Sequence, residues 1–522
     1  MKRALLGLLV ACGGDGNPLE VKTDTGVILG VEQAGEVRAW LGVPYAAPPV
    51  GELRWKRTQR AAAWDGVLET VQVGIQCPQS FSIGGPGGDE DCLFVNVWSP
   101  SGASKRPVMV WLHGGAFVFG SGSDPYYAGR HLAETYDVVV VTVNYRLGAL
   151  GFMAHPALTS EDPAYPSSGN YGLEDQQAAL EWVQRNIAAF GGDPRRVLLF
   201  GESAGGFSTC VHYVSPRSAG LFHAAIAESG LCGSRIEEPT LAIAEAAGVQ
   251  TAEKLGCPGT GPSAAACLRA RSTDELLDAT EVPPPAMQPP GGPFYASGPY
   301  VLSTLPNVDG VVMKTSLRTA FATGDFEQRP LILGTNRDEG TMFHSSFFAT
   351  EVANETEYRA ALERRFGAAN VDAIVAQYPL ASFPSPNRAL AEVTGDAFFV
   401  CPARHSARGA ARAGSPTWFY SFERPPESAF LADLGVFHSS EIPFVFGTDG
   451  VFPLGRVGSG GAPVAEAMQR LWTGFATSAD PGAEWPRYDE AGDRYLIIDA
   501  PLSAGMALKA NRCQFWDALP LP

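Results

Sequence analysis

The chain is short of positive charge. Its 522 residues hold 38 Lys and Arg against 55 Asp and Glu, a formal net charge of -17. A chain of that balance repels nucleic acid and anionic membrane surfaces, so neither is an expected partner. Charge of either sign is sparse at 18% of residues, while 45% are hydrophobic. A large core can therefore form. Histidine is scarce too, with 8 in the chain. No His/Cys group has metal-ligand spacing, and no metal or organic cofactor is implied. Internal repeats, coiled-coil heptads and long single-sign charge runs are missing, which sets aside repeat and coiled-coil architectures. Long apolar runs are missing as well: residues 4–10 form an apolar stretch too short to span a bilayer.

Glycine and proline, by contrast, are plentiful at 59 and 41 residues, which implies many loops. The first residues read as a targeting signal. Lys2-Arg3 precedes the apolar stretch, and Leu9-Val10-Ala11-Cys12 resembles a bacterial lipobox. On that reading residues 1–11 are a signal peptide, Cys12 is lipidated, residues 12–19 are a tether and residues 20–522 are the folded domain. The expected location is the bacterial cell envelope, with a secreted protein as the alternative, and the membrane is touched only through the lipid on Cys12. Setting Cys12 aside from the 9 cysteines leaves an even number, as expected of paired cysteines in an oxidising compartment. Cys210 and Cys232 are either a pair or buried thiols.

Strand-like and helical runs alternate from about residue 20 to 235, the pattern of a mostly parallel sheet flanked by helices in one α/β domain. Residues 138–143 form a β-branched run typical of a strand buried on both faces. Residues 175–189 have helical spacing. Residues 197–200, 224–227, 330–334 and 418–422 read as further strands. The proline-rich residues 282–299 read as an irregular loop over the site, and the glycine-rich residues 456–462 as a mobile segment.

The chemistry centres on Gly201-Glu202-Ser203-Ala204-Gly205, directly after the apolar run Val197-Leu198-Leu199-Phe200. Strand followed by Gly-x-Ser-x-Gly is a nucleophile elbow, in which glycines are expected to allow a sharp turn that lifts Ser203 above the sheet edge. Upstream, His113-Gly114-Gly115-Ala116 follows an apolar strand and can aim backbone N–H groups at an oxyanion. A serine hydroxyl needs a base, and the base an orienting carboxylate, in the chain order Ser, acid, His. Past the helix that follows the serine, the histidines are His223, His344, His405 and His438. His223 fits packing and His405 a surface helix face. His344 and His438 both remain as bases, and Asp338 and Glu339 both remain as acids.

Longer motifs narrow this. Gly42-Val43-Pro44-Tyr45-Ala46 with Leu53-Arg54-Trp55, Glu90-Asp91-Cys92-Leu93-Phe94, Asn144-Tyr145-Arg146-Leu147-Gly148 and Phe190-Gly191-Gly192-Asp193-Pro194 stand in order before the elbow. From about residue 20 to the C-terminus the chain resembles the type-B carboxylesterases, a cholinesterase-like family of α/β-hydrolases. The resemblance implies an α/β-hydrolase fold, a single domain with a large mostly parallel central sheet flanked by helices. It implies a serine ester hydrolase working through an acyl-enzyme. By its motifs the acid falls on Glu339 and the base on His438, with oxyanion donors at the N–H groups of Gly115, Ala116 and Ala204. Glu202 and Ser229 match positions that share a hydrogen-bond network beside the site. The family disulfides carry over to Cys77–Cys92, Cys257–Cys267 and Cys401–Cys513, and ion pairs to Arg54–Glu90 and Arg146–Asp175.

One departure bears on substrate. The loop between Cys77 and Cys92 lacks the tryptophan with which cholinesterases bind a quaternary ammonium. Choline esters are disfavoured, and small hydrophobic esters are the expected substrates, against walls from Phe117, Phe119, Phe207 and residues 294–300. A binding or adhesion module on the same fold is the alternative. Inactive relatives of that kind usually lack a triad member, whereas this chain keeps Ser203, Glu339 and His438.

Overall fold

Runs of Val, Ile and Leu that alternate their contacts between two faces build the centre of the molecule. The computed structural model describes residues 17–80, 85–234, 238–280, 302–346, 349–428, 431–450 and 454–520. The strands are β1 (Glu20–Lys22), β2 (Val27–Leu29), β3 (Val31–Gln33), β4 (Val37–Pro44), β5 (Val67–Glu69), β6 (Phe94–Pro100), β7 (Arg106–Leu112) and β8 (Val139–Val143). After them come β9 (Gly192–Glu202), β10 (Ala224–Glu228), β11 (Leu331–Asn336), β12 (Thr417–Phe422), β13 (Arg494–Ile498) and β14 (Ser503–Met506). Eleven of them form one sheet in the order β14-β13-β12-β11-β10-β9-β7-β8-β6-β4-β3, while β1, β2 and β5 make a 3-stranded sheet beside it.

From β8 to β13 every neighbouring pair in the large sheet is parallel. The expected parallel sheet is thus present, but it does not extend to the chain's start. β3, β4, β6 and β8 pair antiparallel, as do β13 and β14 at the other edge. An apolar run does not encode strand direction, and mixed sheets with antiparallel edges are common.

Period-2 alternation divides the strand residues between two cores. Val108, Val110, Val139, Val141, Leu199, Ala225 and Leu333 pack on one face. Met109, Trp111, Val140, Leu198, Ile226, Ile332 and Trp418 pack on the other. Both faces are covered, which is what a parallel sheet requires. Part of the cover is the helix Tyr171–Asn186, whose Leu180 and Val183 are fully buried. It starts earlier than its expected 175–189 range.

The glycine-rich residues 456–462 are not a loose segment. From Gly458 on they open the helix Gly458–Ser478. Their lack of side chains serves close packing: a Cβ on Gly461 would fall 2.9 Å from the Phe444 ring. Composition read these glycines as mobility, and tertiary contact uses them as clearance. Residues 282–299 lie outside the described residues.

Disulfides join Cys77–Cys92, Cys257–Cys267 and Cys401–Cys513, as the resemblance implied, and Cys210 with Cys232. The last ties the helix Ala204–Val214 to the turn after β10. Arg146 is buried and holds Asp175 through Nε and Nη2, both at 2.8 Å. Arg54 holds Glu90 through Nε at 2.7 Å and through Nη2. Neither is a loose surface pair; the fork geometry matches each carboxylate at two points. Among the described residues no helix is long and apolar enough to cross a membrane.

Candidate active site

The site lies at the carboxyl ends of the parallel strands, where α/β sheets place their ligands. β9 ends at Glu202, Ser203 follows, and a helix begins at Ala204. Ser203 itself adopts φ 57 and ψ -120, a strained backbone for a residue with a Cβ. It is pinned there by its N–H, which donates to Glu228 O at 2.9 Å.

The glycines around it do a different job from the one expected of them. Gly201, Gly205 and Gly206 are not in the left-handed region. They are needed for clearance: a Cβ on Gly205 would fall 1.9 Å from Leu112 O, and one on Gly206 would fall 2.6 Å from Glu228 O. The turn is sharp because its backbone touches β7 and β10.

The loop after β7 runs against this turn. A Cβ on Gly114 would fall 3.1 Å from Ser203 Cβ. Gly115, Ala116 and Phe117 all have positive φ, at 109, 52 and 64. His113 anchors the loop: its ring stacks on Tyr145 at 4.3 Å, and Tyr145 Oη donates to His113 O at 2.6 Å. Burial pushes His113 down to about 4, so it is a neutral prop. Ala116 is exposed and Ser203 half-buried. The Ala204 N–H opens its helix and has no intrahelical carbonyl to reach.

The residues expected as acid and base meet across a long stretch of chain. Glu339 Oε2 lies 2.6 Å from His438 Nδ1. Its other oxygen, Oε1, accepts from Ser229 Oγ at 2.5 Å and from Asn336 N at 2.8 Å. Phe343 and Phe399 flank the imidazole at 4.9 and 4.7 Å between ring centres. With Nδ1 held, Nε2 points away from Glu339; it makes no hydrogen bond and lies 3.1 Å from Glu202 Oε1. Glu202 Oε1 also accepts from Ser439 Oγ at 2.7 Å.

Burial alone would lower the basicity of His438, but the carboxylates of Glu202 and Glu339 outweigh it and hold the imidazole above its ordinary range. Glu202 is raised by burial, and the attraction of His438 and the bond from Ser439 only partly offset this.

The rivals are placed elsewhere. His344 is buried, its Nε2 lies 2.7 Å from Thr394 Oγ1, and burial pushes it down to about 3. Asp338 faces away from the imidazole: its Oδ2 accepts from Val436 N at 2.9 Å and its Oδ1 from Arg388 at 3.3 Å. It clamps the loop that carries His438. His223 Nδ1 lies 2.7 Å from Val197 O, a packing role.

Of the expected pocket walls, Phe117 belongs to the core, 5% exposed and 4.9 Å from the Phe152 ring. Phe119 and Phe207 are half-buried. Residues 294–300 lie outside the described residues. Sequence reasoning missed Glu228 and Glu441 as parts of the site. Glu441 was visible two residues beyond Ser439, but nothing local marked either glutamate as buried. Among the described residues no group of His, Cys, Asp and Glu could hold a metal ion.

The model of the family described as "Carboxylesterase family" matches residues 17–516. Fumonisin B1 esterase of Sphingopyxis macrogoltabida is 37% identical over 501 residues, covering 93% of this chain and 87% of that protein. Para-nitrobenzyl esterase of Bacillus subtilis is 35% identical over 496 residues, covering 92% and 95%. Cocaine esterase of Oryctolagus cuniculus is 35% identical over 524 residues, covering 92% and 91%. A solved structure of PNB esterase superposes with a TM-score of 0.81 at 34% identity, covering 96% of this chain and all of that one.

Proposed function

From the premise that this chain belongs to the carboxylesterase family and is a carboxylic-ester hydrolase, we propose that it acts through an acyl-enzyme on Ser203. The observation that carries this is the buried Glu339–His438 pair, which leaves Nε2 unbonded and 3.1 Å from Glu202, the residue that precedes the strained Ser203. His438 Nε2 takes the proton of Ser203 Oγ as the oxygen attacks the ester carbonyl. The carbonyl oxygen becomes an oxyanion, stabilised by the N–H groups of Gly115, Ala116 and Ala204. Each such donor is worth about 3–4 kcal/mol in the transition state. The imidazolium, stabilised by Glu339, then returns the proton to the leaving alcohol. Water repeats the sequence on the acyl-enzyme, with His438 again the base, and releases the acid.

The substrates on this reading are small hydrophobic esters. Supporting it are the absence of a tryptophan between Cys77 and Cys92 and the half-buried Phe119 and Phe207, which stand on the loop after β7 and on the helix that follows the serine. Relatives named for para-nitrobenzyl, cocaine and fumonisin B1 esters fit the ester chemistry without fixing the acyl group. The location belongs to the same proposal: an exported protein with lipid on Cys12, supported by the lipobox-like residues and by four disulfides that need an oxidising compartment.

The test is covalent. A fluorophosphonate should label Ser203 and stop turnover of a panel of nitrophenyl esters of rising chain length. Label on another serine, or full turnover by Ser203→Ala, would refute the mechanism. Intact mass of the natively expressed protein decides the N-terminus, and a mass that includes residues 1–11 would refute lipidation.

A further inference from the structure

Glu228 ends β10 in register with Glu202 on β9 and with Gly334 on β11, and Gly334 stands opposite Tyr420 on β12. Cross-strand partners share a face, so these positions form one row beneath the site. Gly334 leaves a gap in that row, and Tyr420 fills it: a Cβ at 334 would fall 2.0 Å from Tyr420 Cε1. Glu228, Tyr420 and Glu441 are all 0% exposed.

Each of the three has an atom left over. Trp472 Nε1 donates to Glu228 Oε1 at 2.9 Å, and Asn336 Nδ2 donates to Glu441 Oε2. Glu228 Oε2, Tyr420 Oη and Glu441 Oε1 have no hydrogen-bond partner in the protein. Buried polar atoms are satisfied in nearly all native structures, and an unsatisfied one costs about 1–3 kcal/mol. The three orphans also sense one another. The Tyr420 hydroxyl is pushed well up first by burial, then by the carboxylates of Glu228 and Glu441. Polar atoms that face each other beyond direct reach are the usual setting for an ordered water, which needs two to four partners.

We propose that Glu228 is a positioning residue held as a neutral carboxylic acid, and that its Oε2–H and the Tyr420 hydroxyl both donate to one ordered water, which donates in turn to Glu441 Oε1. The role rests on the reading of Ser203 and His438 as the reacting pair. The carbonyl of Glu228 already accepts the Ser203 N–H. An anion on its side chain would stand beside Glu202, its cross-strand partner. The neutral acid keeps that place free of a further negative charge and leaves Glu339 and Glu202 as the carboxylates that act on His438.

The groups that face Glu228 are Glu202 on β9, Tyr420 on β12, Trp472 on the helix Gly458–Ser478, and Glu441, and the charge of Glu339 reaches Tyr420 and Glu441. Burial pushes Glu228 up to about 8, where the Trp472 bond lowers it and Glu202 raises it further, and burial with the charges of Glu202 and Glu228 pushes Glu441 well up beside it. Ionisation in mildly alkaline solution therefore gives the pH profile a descending limb, about tenfold per unit beyond that point.

Two measurements test this, and only the first needs turnover. The ratio of kcat/KM at pH 9 to that at pH 7 should rise in Glu228→Gln because the limb is gone; an unchanged ratio overturns the role. Difference infrared spectroscopy at pH 7 should show the C=O band of a protonated carboxyl that Glu228→Gln lacks and that Tyr420→Phe shifts. No such band, or one that survives Glu228→Gln, overturns the neutral acid. A crystal structure with no water between Oε2 and Oη overturns the bridge. The infrared and diffraction results hold whether or not Ser203 proves to be the nucleophile.

Discussion

Around Ser203 the backbone does the holding. Ser203 sits at φ 57 because β7 and β10 press on both sides of a turn that only glycine can thread. Around His438 side chains do the holding: Glu339, Ser229 and Asn336 form a chain of hydrogen bonds, Asp338 clamps the loop and Glu202 adds charge. One half of the site is positioned by steric exclusion and the other by hydrogen bonds and charge. Substitutions at the glycines of the first half should break the fold, and those at His438 and Glu339 in the second should break the rate while the fold stands.

The largest expected effect falls on the histidine half. His438→Ala should cost on the order of 10⁴-fold or more in kcat, as much as losing the serine, because the catalytic groups act as a unit. Its melting temperature should stay close to the parent's. His344→Ala should keep most of its turnover and lose stability instead, since it abandons a buried bond to Thr394. The reverse result would assign the base to the wrong histidine.

Next comes the acid. Glu339→Gln keeps the shape but removes the charge that stabilises the imidazolium, and kcat should fall by about 10³–10⁴-fold. Asp338→Asn weakens the clamp on Val436 and Arg388 and should lower the melting temperature with a small change in rate. Equal losses from both would erase the distinction between clamp and orienter.

On the serine half, Gly205→Ala puts a Cβ 1.9 Å from Leu112 O, against backbone that cannot yield cheaply. Overpacking of this kind costs about 1–3 kcal/mol. Thermal denaturation should show the loss, and a variant as stable as the parent would mean that the turn is held by something other than exclusion.

The smallest effect is a shift in pH dependence. Glu202 helps to raise His438, so Glu202→Gln should lower the pKa of the base. A base of lower pKa stays deprotonated to lower pH. The acid limb of kcat/KM should therefore move toward acid, and a limb that stays in place would show that the 3.1 Å approach of the two side chains has no electrostatic consequence.

Before folding, much of this was legible. The elbow, the His113-Gly114-Gly115-Ala116 loop and the buried strands are contiguous runs whose chemistry is local, and they stand where the sequence put them. The choice of Glu339 and His438 as the expected acid and base needed the family resemblance, because spacing alone left Asp338 beside Glu339 and His344 beside His438. What separates each pair is the direction of a side chain. In the first pair Asp338 faces Val436 and Arg388 while Glu339 faces His438; in the second His344 is buried against Thr394.

The sequence by itself determined the order of elements, the nucleophile turn and the strand periodicity, since each follows from neighbours within a few residues. Tertiary structure alone decided that the sheet's edges run antiparallel, that residues from Gly458 form a helix, that Cys210 meets Cys232, and that Glu228 and Glu441 are buried within reach of each other's charge. Those outcomes depend on which distant segments arrive at the same place. A glutamate's sequence neighbours do not say whether water will reach it, and burial without a cation is what turns an ordinary carboxylate into a neutral acid.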